Sequence, residues 1–183
     1  MEDTTMFKVG NEVSYGLLGK CVVAGVETKE LSSGPVEFYI IRSVKNPIAA
    51  RKSNPNEPAI FVPVADAIKK GLRSLMTKEE VERNLQILSE PDYHFELNQT
   101  WVTKQRLLEE TLRKEGGSGL VKVVGHLYVA IKRDMVPPPE VLRFYETVFR
   151  VLIREVAEIL ELSMKETEIL ITKALKNKLL AYN

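Results

Sequence analysis

Lys20-Cys-Val-Val-Ala-Gly-Val-Glu-Thr-Lys29 is β-branched at four of its ten positions. Branched Cβ atoms sit well on a pleated surface, so the run reads as a strand. It is long for a strand of a small sheet, and Gly25 supplies a place for a bulge and a bend. The grammar continues on both sides. Val9-Gly-Asn-Glu-Val-Ser-Tyr15 alternates, and Gly16 and Gly19 then allow a turn. Ser32-Ser-Gly34-Pro35 is a turn, Val36-Glu-Phe-Tyr-Ile-Ile-Arg42 is the next strand, and Ala59-Ile-Phe-Val-Pro-Val64 is the fourth. Residues 46–58 hold three prolines and three asparagines and read as an exposed loop. Four short strands with glycine corners predict a small twisted barrel, large enough for side chains but not for a ligand cavity.

From Ala65 the apolar period becomes helical. A short turn over residues 65–70 ends at Gly71. Thr77-Lys-Glu-Glu80 fits a capping box that opens a helix through Val81, Leu85 and Leu88. Ser89-Glu-Pro-Asp-Tyr-His interrupts it. The next helix spans residues 101–115, Gly116-Gly-Ser-Gly119 breaks it, and another runs over residues 120–133 to Val136-Pro-Pro-Pro139. A long helix follows, with Val141, Tyr145, Val148, Phe149, Leu152, Val156, Ile159 and Leu160 spaced three and four apart. Ser163-Met-Lys-Glu166 is a second capping box, opening a last helix through Leu170, Ile171 and Ala174. The fold class is therefore α+β in two domains: a small β-barrel over residues 1–75, then an all-α helical bundle over residues 76–183.

Composition narrows the function. With 44% hydrophobic and 28% charged residues, the 183-residue chain reads as globular and able to bury a core. A net charge of +1 leaves no global field to draw it onto nucleic acid or an acidic membrane. The first 75 residues carry 10 Lys and Arg against 8 Asp and Glu, the rest 16 against 17. Any DNA contact must be local, and should weaken with salt. The N-terminus has no signal-peptide profile and no apolar run reaches membrane-spanning length, so the expected location is the cytoplasm. Cys21, the lone cysteine, excludes an intrachain disulfide and a thiolate cluster, and reads as a small buried hydrophobe.

Catalytic apparatus is not visible. Gly16-Leu-Leu-Gly19-Lys20 has neither the spacing nor the following Ser or Thr of a phosphate loop. Gly116-Gly-Ser-Gly119 follows a helix rather than a strand, which favours a helix stop over a nucleotide fingerprint. His94 and His126 have no partners at metal-ligand spacing. Glu79-Glu80 and Glu109-Glu110 are solvated helix faces, the latter with Arg113 and Lys114 as partners one turn on. No catalytic residue, metal or cofactor is expected, and the chain is read as not an enzyme.

Asn98-Gln-Thr-Trp101-Val-Thr-Lys104-Gln-Arg106 holds the only tryptophan. Asn98 or Thr100 can cap a helix here. Lys104 lies one turn from Trp101, and Arg106 on the adjoining face. An aromatic beside cations at a helix start suits a nucleic-acid backbone. Leu108 and Leu112, roughly along the same stripe, equally suit a partly buried core tryptophan.

In chain order, Phe7-Lys-Val-Gly10-Asn-Glu-Val-Ser-Tyr15, Gly19, Val26-Glu27-Thr28, Tyr39-Ile-Ile41, Val62-Pro63-Val64 and Gly71-Leu72-Arg73 resemble the RNA-polymerase-interaction module of CarD/CdnL-type bacterial transcription regulators. The transcription-repair coupling factor carries a similar module, followed by motor domains that have no counterpart here. The Trp101-x-x-Lys104-x-Arg106 start, with Glu166 and Ala174-Leu175 in the last helix, is similar to the CarD carboxy-terminal domain. The resemblance covers nearly the whole chain. It implies a Tudor-like barrel that docks on the RNA polymerase β subunit by strand-edge pairing. Lys29, Glu27, Arg42 and Phe61 are the expected polymerase-binding residues. Lys29 matches a basic contact of the family, whereas Phe61 stands where a basic residue is common, so that contact is either missing or replaced by apolar packing. The helical domain is then expected to reach promoter DNA at the upstream edge of the melted bubble. Trp101 would wedge against the minor groove while Lys104 and Arg106 hold phosphates. No membrane or small-molecule substrate is implied. Tyr15-Gly16-Leu17-Leu18-Gly19 departs from the family's Tyr-Pro…His-Gly turn, Thr103 replaces a basic residue, and Arg51 and Lys52 lie in a longer loop. The near-neutral helical half leaves an alternative: a polymerase-associated protein-interaction adaptor without direct DNA binding.

Overall fold

A computed structural model describes residues 6–44, 58–89, 100–133 and 136–181. The chain is α+β: a five-stranded antiparallel sheet, then four helices. It packs as two compact units, Met1–Leu75 and Met76–Asn183.

In the first unit, β1 (Glu12–Tyr15), β2 (Gly19–Leu31), β3 (Gly34–Ser43), β4 (Ile60–Pro63) and β5 (Leu72–Ser74) lie in the order β4-β3-β2-β1-β5. The long β2–β3 hairpin carries a register shift between Val23 and Gly25. Val23 opposes Ile41 and Val26 opposes Tyr39, so β2 advances three residues while β3 advances two. The extra residue keeps the inward sets of both strands on one face, which a plain one-residue slip would invert. The bulge falls where the sequence offers its mid-strand glycine.

Inward side chains of all five strands share one core: Val13, Cys21, Val23, Tyr39, Ile41, Val62 and Leu72, with Phe7 and Ala67. Tyr39 is fully buried, and its hydroxyl accepts the Phe7 N–H at 3.1 Å. The Phe7 ring meets Tyr39 edge-on at 5.8 Å, so both backbone and ring tie the chain start to the core. Cys21 is fully buried, as expected of a small hydrophobe, with its thiol directed to the Gly19 carbonyl at 3.5 Å.

Three expectations are revised. β1 begins at Glu12 rather than Val9, because Gly10 adopts φ +89° in a turn that the Asn11 side chain closes on the Lys8 N–H. The stretch after residue 65, read as helical, contains β5, which pairs Val13 with Ser74 and Tyr15 with Leu72. Three residues are too few to show alternation. No ladder joins β4 to β5 among the described residues, so the expected barrel is here an open sheet with two edges. The loop read over residues 46–58 lies, except for Pro58, outside the described residues.

The second unit comprises α1 (Lys78–Ser89), α2 (Trp101–Arg133), α3 (Pro139–Ile159) and α4 (Met164–Ala181). Both capping boxes form. Glu80 accepts the Thr77 N–H at 2.8 Å while the Thr77 hydroxyl accepts the Glu80 N–H at 3.2 Å, and Ser163 and Glu166 repeat the exchange. Pro139 opens α3, where its missing N–H has no intrahelical role. α3 buries Phe144 and Val148 on one face of its first half, and from Val151 to Ala157 its buried positions circle most of the helix.

α2 is two helical arms joined at Gly116, whose φ of 57° and ψ of −125° are not helical. Trp101 packs on Phe144, and Tyr128 packs on the adjacent Tyr145. In a straight helix Trp101 and Tyr128 would stand about 40 Å apart, so the chain must reverse between them. The glycines make the reversal tight. A Cβ on Gly119 would run into the Thr111 carbonyl oxygen, and one on Gly117 would sit 2.5 Å from Met76 Cγ. The Gly116–Gly119 run is therefore a packed helix reversal.

Candidate interaction surfaces

Strand alternation sends Val36, Phe38, Ile40 and Arg42 to the face of β3 opposite Tyr39 and Ile41. Their cross-strand partners follow them: Lys29 opposite Val36, Glu27 opposite Phe38, Phe61 opposite Ile40 and Pro63 opposite Phe38. The four residues expected to bind polymerase thus share the outward face of the sheet. Lys29, Glu27 and Phe61 cluster toward the hairpin arm, and Arg42 lies further along β3.

The Lys29 ammonium sits 3.4 Å from the centroid of the Phe61 ring. A cation over a ring face is attracted by its quadrupole, by about 0.5–1 kcal/mol at an exposed site. Phe38 meets Phe61 edge-on at 6.4 Å and steadies it from the β3 side. Phe61 therefore holds a basic group in place rather than supplying one. It remains 40% exposed, on a strand that pairs only with β3 among the described residues. The far edge of β4 leaves backbone groups open to another strand. Pro63, which lacks an N–H, is tolerated in a strand at such an edge.

The second cluster stands at the start of α2. The Thr100 carbonyl accepts the Lys104 N–H at 3.0 Å, and the Thr100 hydroxyl is bonded to that of Thr103 at 3.1 Å. Thr100 thus occupies the start of the helix, while Asn98 lies outside the described residues. Trp101 is half-buried, with its ring 5.8 Å from Phe144 at an interplanar angle of 74°. Lys104 is half-buried one turn on, on the same stripe. Arg106 is exposed and lies about 140° around the helix from Trp101. Trp101 and Lys104 therefore form a unit that Arg106 does not join. Val102, 73% exposed, shares the solvent side with Arg106. The tryptophan therefore packs on Phe144 without being fully buried.

Beyond Phe144, Tyr145 stacks on Phe149 at 5.2 Å and 15°, and Lys132 lies 5.7 Å from the Tyr128 ring. Burial, then the neighbouring Tyr128 and Glu168, pushes the Tyr145 phenol well above its ordinary range. It stays neutral and serves packing. An open groove of about 520 Å³ runs between α1 and α4, lined by Leu85, Ser89, Leu170, Lys173 and Ala174. Among the described residues, no three His, Cys, Asp or Glu side chains group as metal ligands, and no helix is long and apolar enough to cross a membrane.

Sequence reasoning missed Phe38 and Phe144, the partners of Phe61 and Trp101. Phe144 is legible as a core position from its spacing to Val148 and Leu152. Its pairing with Trp101 depends on the reversal at Gly116, which no local pattern encodes. No protein-family model and no curated protein matches this chain.

Proposed function

We propose that this chain is a non-enzymatic regulator of the CarD/CdnL type, which binds the RNA polymerase β subunit through its sheet and stabilises the promoter open complex through its helical unit. The observation that carries the reading is the edge strand β4, flanked by a lysine held over Phe61. Backbone pairing supplies affinity at such an edge, and flanking side chains select the partner. The shared core under all five strands supports a Tudor-like reading of the sheet, wrapped on one cluster while its β4 edge stays open for docking.

In the helical unit, Trp101 with Lys104 is the DNA-contacting pair, and Arg106 can reach phosphates only on a different side of the helix. An apolar wedge beside a cation is a recurrent way to hold distorted DNA. Each 1.4 kcal/mol so gained shifts the open–closed equilibrium about tenfold toward the open complex. A second reading, a protein-binding adaptor, draws on the half-burial of Trp101 and the near-neutral charge of residues 76–183.

Capture on the isolated polymerase β lobe tests the first step. Wild-type chain is expected to be retained and Lys29→Glu to be retained several-fold less. Absence of capture by wild type would refute polymerase as the partner of the sheet.

A further inference from the structure

Trp101 stands at the start of α2, and among the described residues its indole makes one ring contact across the helical unit. What it meets is Phe144, edge-on at 5.8 Å and 74°. We infer that Phe144 is a positioning residue that fixes the Trp101 indole in the pose in which it meets nucleic acid, an inference that rests on the promoter-DNA reading above.

Three observations carry it. First, Phe144 is 7% exposed, and with Val148 it forms the buried face of the first half of α3, so it is a fixed support rather than a second mobile ring. Second, edge-to-face contact sets the electropositive rim of one ring against the electronegative face of the other, which selects an orientation and not merely a separation. Third, the contact leaves Trp101 half-buried, so part of its surface stays exposed while the ring is held. A ring oriented before encounter loses less rotational freedom on binding, and affinity rises accordingly. A leucine at 144 would keep most of the apolar volume but not the ring orientation, whereas a tyrosine would keep both.

The test uses the full chain and a synthetic promoter duplex with a preformed bubble at its upstream edge. Because Trp101 is the only tryptophan, intrinsic fluorescence reads this ring alone. Phe144→Leu should leave the far-UV circular dichroism unchanged, shift the emission to the red, lower its anisotropy, and weaken duplex binding about threefold or more. Phe144→Tyr should restore emission, anisotropy and binding. In the Trp101→Ala background, Phe144→Leu should have no further effect on binding. If Phe144→Leu frees the ring yet binds the duplex like wild type, while Trp101→Ala does not, positioning is overturned and the DNA reading stands. Positioning is likewise overturned if Phe144→Leu weakens binding equally with and without Trp101. If Trp101→Ala itself binds like wild type, the DNA reading fails and takes the inference with it. Should Phe144→Leu not fold, Phe144→Met, closer in volume, takes its place.

Discussion

Replacing Gly119 with alanine sets helix propensity against tertiary packing, and the two give opposite signs. On propensity alone, Gly→Ala inside a helix gains about 1 kcal/mol. In the folded chain, however, the new methyl would fall inside van der Waals contact of the Thr111 carbonyl oxygen and 3.0 Å from Glu115 Cβ. In a straight helix residues 111 and 119 would be about 12 Å apart, so the clash exists only because the two arms of α2 fold onto each other at Gly116. Neither neighbour is the far end of a flexible side chain. Overpacking of this kind costs about 1–3 kcal/mol or somewhat more, which outweighs the propensity gain and leaves a net loss of about 1–2 kcal/mol. For a unit of this size that lowers Tm by roughly 4–8 °C per kcal/mol lost. Thermal unfolding followed by Trp101 fluorescence reports on the helical unit directly. Gly125→Ala is the milder comparison, since its methyl meets only side-chain carbons, those of Lys178 at 3.3 and 3.4 Å and Leu88 Cδ1 at 3.5 Å, and no backbone atom. A Gly119→Ala chain that melts at or above the wild-type temperature would refute the reversal.

Two further predictions concern ionisable groups. Burial pushes the Cys21 thiol up to about 12, so the native chain should resist thiol reagents at pH 8 and react at the rate of unfolding; free-thiol rates in native buffer would contradict this. The same shift means that stability is fully present below about pH 8.5 and is lost as pH rises toward 12. The Ser163 hydroxyl, then the Ser163 N–H, hold the Glu166 carboxyl below its ordinary range. A lowered carboxylate contributes stability above its unfolded value of about 4.3 and loses it as pH falls through the folded one. Wild type should therefore lose more Tm between pH 6 and pH 3 than Glu166→Gln; identical pH profiles would show that the Glu166 carboxylate adds nothing to the cap of α4.

Local chemistry was legible where a few adjacent residues determine the outcome. The two capping boxes, the bulge near Gly25, the turn at Gly34 and the burial of Cys21 each follow from a short stretch. β5 was not legible, because three residues next to a turn carry no period and gain their strand character only by pairing with β1. The reversal in α2 was half legible. Four residues with three glycines announce a break, but that the arms return onto each other is decided by contacts outside the run's own pattern: Met76 against Gly117, Thr111 against Gly119, and Phe144 against Trp101 at the far end of the first arm. The same limit applies to the surfaces. Lys29, Glu27, Arg42 and Phe61 could be named one by one, but their common face follows from β2–β3–β4 register. The helical period alone already put Arg106 on a face adjoining that of Trp101 and Lys104, and the start of α2 keeps that arrangement.

The lifetime of a promoter open complex, measured with polymerase alone, with the wild-type chain and with Trp101→Ala, tests the proposed mechanism most directly. Wild type should prolong the complex, and Trp101→Ala should remain bound to polymerase but lose most of the prolongation. A wild-type chain that binds polymerase and leaves the lifetime unchanged, or a Trp101→Ala chain that prolongs it fully, would contradict the mechanism.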